Sequence, residues 1–264
     1  MSLTLGSVAP LGRPTGGTLN IEIPDRPAHL LYLHDVAGRI RGDLDGTTVV
    51  DATAARMLHE TGLLPRWYFP RDSVRADMLE PSSTTTHCPF KGDALYWNVR
   101  VGDKVIADAL WEYPEVVAGA PDLSGLLSPY MEKFDRWWDE DEEVHEHPRD
   151  PFHRVDARRS SAHVVVRSGG EVVADTGAPV AVKETGLPVR WYVPLGDVDA
   201  ALLTETSTET YCPYKGVASY WTLEVGEQRF EDAVWTYREP LLEAVPAKGC
   251  VCFLADGIET EVTR

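Results

Sequence analysis

Three blocks of this chain recur 124 positions further on, with no gap between them. Glu60-Thr61-Gly62-Leu63 returns as Glu184-Thr185-Gly186-Leu187, and Arg66-Trp67-Tyr68 as Arg190-Trp191-Tyr192. Cys88-Pro89-Phe90-Lys91-Gly92 returns as Cys212-Pro213-Tyr214-Lys215-Gly216. A period this long exceeds that of a solenoid and marks two copies of one folding unit. The 264 residues then divide into halves that can each bury a core.

Charge narrows the partners. Forty-two acidic against 25 basic residues give a net charge of −17, which repels phosphate backbones and anionic lipid, so neither nucleic acid nor a membrane surface is expected as partner. The run Asp139-Glu140-Asp141-Glu142-Glu143 reads as a solvated surface stretch rather than a metal site. No apolar stretch approaches the roughly 20 residues that cross a bilayer, and the N-terminus lacks the pattern of a signal peptide. A soluble, cytoplasmic protein is expected. Cys88 and Cys212 occupy equivalent positions, whereas Cys250 and Cys252, in the expected last strand, have no cysteine counterpart. Matched pairs within each half are missing, so reduced thiols are expected.

The fold class expected is mainly β, two tandem domains with few short helices. Residues 1–28, rich in Gly, Pro and Thr, read as a flexible lead-in, 29–145 as the first domain, 146–157 as a linker and 158–264 as the second domain. Thr47–Asp51 and Glu171–Asp175 lean to strand, as does Arg66–Phe69 up to Pro70. Hairpins are expected about Gly102-Asp103-Lys104 and Gly226-Glu227-Gln228. Short helices fit Asp72–Leu79 and Val198–Leu203, and a clearer one Met131–Trp138, where Phe134, Trp137 and Trp138 recur at steps of three and four.

Within the third block, strand alternation places Thr84, Thr86 and Cys88 on one face, and Thr208, Thr210 and Cys212 repeat them. Lys91 and Lys215, three residues on, are positive charges able to favour a thiolate. The functional reading is a Cys/Lys/Thr pocket with Cys88 and Cys212 as nucleophiles and Lys91 and Lys215 as their activators; the alternative is a small buried hydrophobe at a turn with lysine at the surface. Trp67-Tyr68, Tyr96-Trp97, Trp111 and Tyr113 are retained as Trp191-Tyr192, Tyr220-Trp221, Trp235 and Tyr237. Such rings either wall a flat or cationic ligand or fill a thin β core. Arg66 and Arg190 either clamp a ligand anion or pair with Glu60 or Asp108 (Glu184 or Asp232). His153 is a candidate acid or base, or a packing residue. No zinc ligand spacing, P-loop or dinucleotide fingerprint is present, so no metal or cofactor is expected.

Ser83-Thr84-Thr85-Thr86-His87-Cys88-Pro89-Phe90-Lys91-Gly92 with Tyr96-Trp97, Trp111-Glu112-Tyr113, Thr208–Trp221, Ala233–Pro240 and the stretch His147–Asp156 resemble the DUF427 family and the junction of its tandem members. The resemblance covers most of the chain beyond residue 30. It implies a compact unit of the β-tent, Mss4-like type, without the zinc cysteines of those relatives. A nucleotidyltransferase-like label attaches to the family, and the metal carboxylates that it would need are missing here. The function expected is binding of a planar or anionic small molecule, or catalysis upon it, in a Cys/Lys/Thr pocket walled by Trp and Tyr. A non-catalytic aromatic cage or an interaction scaffold is the alternative, and self-association into a homo-oligomer stays open.

Overall fold

A computed structural model describes residues 28–264; the lead-in expected over 1–28 lies, but for residue 28, outside the described residues. The chain forms two units, divided between Asp150 and Pro151. The expected linker therefore splits: residues 155–157 open the first strand of the second unit.

In the first unit the strands are β1 (Leu31–Asp35), β2 (Ile40–Leu44), β3 (Thr47–Ala52), β4 (Arg56–Glu60), β5 (Arg66–Pro70), β6 (Leu79–Cys88), β7 (Gly92–Val101), β8 (Lys104–Glu112), β9 (Leu126–Pro129), β10 (Arg136–Asp139) and β11 (Glu142–Val144). A seven-stranded sheet runs β1-β4-β5-β9-β8-β7-β6, and a four-stranded sheet runs β11-β10-β2-β3. The second unit repeats this plan with β12 (Val155–Arg159), β13 (His163–Ser168), β14 (Glu171–Thr176), β15 (Val180–Glu184), β16 (Arg190–Pro194), β17 (Leu203–Cys212), β18 (Gly216–Val225), β19 (Gln228–Tyr237), β20 (Cys250–Phe253) and β21 (Ile258–Thr263). Its sheets run β12-β15-β16-β20-β19-β18-β17 and β14-β13-β21.

Each large sheet buries both faces, and alternation along the strands decides which ring goes where. Toward the smaller sheet, the first unit packs Trp67, Phe69, Val99, Leu110 and Leu127 against Ile40, Leu44, Val50 and Trp137. On the opposite face Tyr68, Tyr96, Trp111 and Tyr113 gather with Leu58, Leu123 and, partly buried, Cys88. Likewise Trp191 and Trp221 pack on the core of the second unit, while Tyr192, Tyr237, Tyr220, Trp235 and Cys212 share the other face.

The expected helices are corrected. Over Met131–Trp138 a single 3-10 turn, Met131–Lys133, leads into β10, which pairs with β2. The apolar period belongs to side chains that fold back together: the Trp137 indole N–H donates to the Met131 carbonyl at 3.1 Å. A side chain at Gly42 would stand 2.6 Å from the Trp137 ring, so glycine lets the indole lie flat on β2. Over Asp72–Leu79 two 3-10 turns, Arg71–Ser73 and Ala76–Met78, flank Val74, which is extended and bridges to Val50. Val198 bridges to Ala174 in the same way, between turns at Leu195–Asp197 and Ala200–Leu202. The strand holding Cys250 and Cys252 is not the last, since β21 follows. It has a counterpart in β9, where Leu126 and Ser128 stand at the equivalent positions.

Candidate functional site

The turn after β6 fixes a lysine. Lys91 N–H donates to the Cys88 carbonyl at 3.2 Å, and Val117 N–H to the Lys91 carbonyl at 3.2 Å. In the second unit Lys215 N–H donates to Cys212 at 3.2 Å and Leu241 N–H to Lys215 at 3.1 Å. Gly92 and Gly216 follow at φ +113 and +99, a region that disfavours other residues, and a Cβ would come within 2.9 and 3.2 Å of the Glu115 and Glu239 carbonyls. The glycines thus keep each lysine pointing inward, only 7% and 8% exposed.

What meets the lysine is a carboxylate. Lys91 Nζ donates to Glu60 Oε2, and Lys215 Nζ to Glu184 Oε2 at 2.5 Å. The other oxygen of each carboxylate bonds a histidine that precedes the first strand. His29 Nε2 to Glu60 Oε1 and His153 Nε2 to Glu184 Oε1 both measure 2.9 Å. Each imidazole also lies against the ring of the turn, His29 stacked on Phe90 at 3.7 Å and His153 tilted against Tyr214 at 4.5 Å. The backbone beside each histidine is pinned by a threonine, Leu30 N–H to Thr61 Oγ1 at 3.0 Å and Arg154 N–H to Thr185 Oγ1 at 2.9 Å. A His–Glu–Lys array at equal steps, 29-60-91 and 153-184-215, is therefore built twice. Burial alone pushes the Glu184 carboxyl up, but the hydrogen bond from His153 and the charge and hydrogen bond of Lys215 outweigh it and hold the group below the usual carboxylate range.

Beside this array in the first unit lies a cavity of about 190 Å³, lined by Leu58, Glu60, Leu63, Leu64, Arg66, Tyr68, Lys91, Tyr96, Trp111, Tyr113 and Tyr130. Of these eleven positions, eight are identical in the second unit: Glu184, Leu187, Arg190, Tyr192, Lys215, Tyr220, Trp235 and Tyr237. Over the 109 aligned positions from 32–140 and 156–264, 34 are identical. The lining is thus held far more closely than the unit as a whole. The Arg66 guanidinium lies over the Trp111 ring, 6.0 Å from its centroid. Among the described residues neither Arg66 nor Arg190 has a carboxylate within ion-pair distance. Burial raises the Tyr68, Tyr113, Tyr192 and Tyr237 hydroxyls far above their ordinary range, and pushes Tyr130 up to about 12, so the walls present neutral phenols.

The residues singled out from the sequence divide into two groups. Lys91, Lys215, Arg66, Tyr68, Tyr96, Trp111, Tyr113 and their equivalents Arg190, Tyr192, Tyr220, Trp235 and Tyr237 are brought together. Thr86 and Thr210 hydrogen-bond the Tyr96 and Tyr220 hydroxyls at 2.9 and 2.8 Å. Trp67 and Trp191 are corrected: their strand alternation turns them into the core between the sheets, as it does Trp97 and Trp221. Trp97 donates its N–H to Glu112 at 3.0 Å beneath Arg71, and Arg238 covers Trp221. Thr84 and Thr208 do not point a free hydroxyl at a ligand. They donate to Asp108 and Asp232 at 2.9 and 2.7 Å, carboxylates carried on bulges with φ of 50 and 49. Arg66 pairs with neither Glu60 nor Asp108. The lysine beside each thiol is held by glutamate, so it is no bare charge next to Cys88 or Cys212.

His29 and the glutamates were not singled out from the sequence as site residues, though His29 and His153 obey the 124-residue step and both glutamates open a repeated block. No curated protein matches this chain. A family model matches it twice, at residues 32–140 and 156–264. With nearly all of both large sheets, both lysine turns and the cavity lining carried by those stretches, the chain belongs to the family described as Domain of unknown function (DUF427), in two tandem copies.

Proposed function

We propose that each repeat is a binding module for a small planar anion, seated between the tyrosine walls and the lysine-glutamate floor. The observation that carries this reading is the retention of eight of eleven lining positions against 34 of 109 overall. Size supports a single-ring ligand, since a cavity of about 150 Å³ takes up benzene and this one measures about 190 Å³. The sign of the charge supports an anion. Lys91 and Glu60 offset one another, which leaves the Arg66 guanidinium over Trp111 as the group ready to receive a carboxylate. In this reading Cys88 and Cys212 pack among the same rings, Cys88 outside the cavity lining, Thr86 and Thr210 hold the Tyr96 and Tyr220 hydroxyls, the unit has the β-tent shape, and the module works in the cytoplasm, in keeping with four free cysteines. Nucleic acid and membranes are not its partners.

Benzoate is a suitable probe, with quenching of tryptophan fluorescence as the signal. Saturable quenching that is lost in the double variant Arg66→Gln/Arg190→Gln is expected. The same curve in wild type and double variant, or no saturation in wild type, overturns the reading.

A further inference from the structure

A binding floor made only to offset charge does not require a primary amine, yet both copies bury one against a carboxylate, in the first unit at the cavity. Lys91 lines the cavity, and its Nζ lies 5.8 Å from the Tyr113 ring centroid. The carboxylate's two oxygens have separate partners in each copy: Oε2 faces the amine and Oε1 is held by histidine. A buried amine seated against a fixed proton acceptor beside an aromatic-walled cavity is the arrangement that nucleophilic lysine chemistry needs.

We infer that Lys91 and Lys215 form imines with planar aromatic aldehydes that carry a carboxylate, Glu60 and Glu184 moving the proton. The inference rests on the cavity being a ligand site. Arg66 or Arg190 receives the carboxylate and so aims the aldehyde carbon at the lysine. Glu60 Oε2 takes one proton from the ammonium, and the neutral amine adds to the carbonyl carbon. A proton shifts from nitrogen to oxygen to give the carbinolamine. Glu60 then returns its proton to the departing hydroxyl, which leaves as water, and a protonated imine remains. One ammonium and one aldehyde thus become one iminium and one water, with no oxidant or reductant. His29 and His153 are positioning residues, since each holds the oxygen that does not face the amine.

The test uses the full chain, 4-carboxybenzaldehyde and sodium cyanoborohydride, which reduces an imine to a stable secondary amine, with each modified lysine identified by peptide mass spectrometry. The chain has six lysines, and Lys104, Lys183 and Lys248 are exposed controls within the same molecule. Labelling of Lys91 and Lys215 about tenfold faster than the controls, as proximity effects allow, and suppressed by benzoate, is the expected result. Lys215→Arg, which preserves the ion pair, abolishes labelling at that position and leaves Lys91 unaffected. His153→Asn shifts the pH profile of labelling at Lys215 while the profile at Lys91 stays put, a change that a purely structural role for His153 would not produce. Labelling at the exposed lysines as fast as at Lys91 and Lys215 overturns the inference. If benzoate still binds in that case, the binding reading stands alone; if benzoate also fails to bind, both fall together.

Discussion

The cavity of the first unit and the equivalent positions of the second share a floor and differ in their roof. In the first unit Tyr130 lies over the site, 4.6 Å from the Trp111 ring centroid and stacked at 6.4 Å on Tyr96. The equivalent residue in the second unit is Leu254, 53% exposed. Beneath it the indole–phenol pair is common to both units: Trp235 and Tyr192 meet edge-on, with the Trp235 N–H donating to the Tyr192 hydroxyl at 3.0 Å, and Trp111 and Tyr68 meet in the same way. Leu64 in the first lining is Pro188 in the second. The His–Glu–Lys array, the arginine and the tyrosines at the base are unchanged. Divergence after duplication has therefore fallen on the part of the site that would touch the far side of a ligand, which is where two modules with one chemistry would acquire two preferences.

A second contrast lies on the core side, where an arginine covers the retained tryptophan in both units but comes from different places. Arg71, between β5 and β6, stacks 4.2 Å from the Trp97 centroid and is anchored by Glu112. Arg238, just after β19, lies 5.4 Å from Trp221 and is anchored by Glu205. The equivalents of Arg71 and Glu112 are Leu195 and Thr236. A guanidinium over an indole is kept while its source changes, which identifies the cover on the tryptophan as the retained physical requirement.

The strongest break in the comparison should come from the shared floor. Replacing Glu60 or Glu184 by Ala strands a buried ammonium, a loss of about 3–5 kcal/mol; thermal unfolding of the full chain should show a comparable drop for either variant, and a large drop for one alone would mean that the two arrays are not equivalent. Core truncation comes next and should be confined to one unit. Trp67→Ala removes an indole that is fully buried among Phe69 and Trp137, at about 3–5 kcal/mol; amide exchange should rise across β1–β11 and not across β12–β21.

Acid should reveal the floor without mutation. The Glu184 pKa is lower folded than its ordinary value of 4.5, so its ionised form favours the folded state. That contribution is complete above the ordinary value and disappears as pH falls through the lower folded one. Glu184→Gln should flatten the stability of the second unit across that acid window, and an unchanged pH slope would refute the assignment. The smallest effect concerns the roof. Leu254→Tyr should strengthen ring-ligand binding in the second unit, and Tyr130→Leu weaken it in the first, each by about 0.5–1.5 kcal/mol; equal and opposite shifts in benzoate affinity would sharpen the contrast, and no shift would remove it.

Much of this was legible in the sequence because duplication preserved it in register. The hairpins β7–β8 and β18–β19 lie where the turn residues point, and the Cys-Pro-aromatic-Lys-Gly blocks do lie at the site. Alternation also required Tyr96 and Trp97 to face opposite ways, and they do. The same rule applied to Trp67-Tyr68 and Trp191-Tyr192 would have sent both tryptophans to the core. Other features depend on distant partners. An apolar step of three and four over Met131–Trp138 looks helical until β2, about 95 residues earlier, supplies the strand that β10 pairs with. Glu60 looked like a partner for nearby Arg66 because adjacency in sequence was the available guide; its true partners come from 31 residues before and 31 after.

His29 and His153 lie just outside the family-matched stretches. The family-matched segments begin at residues 32 and 156, after His29 and His153, which are tied back by Thr61 and Thr185. A fragment trimmed to the matched limits would keep the large sheets but for the first residue of β1 and of β12, lose β11, and forfeit the imidazole, leaving one oxygen of each glutamate uncapped and open to water. Anyone dissecting the repeats should start at least three residues earlier than the family boundary.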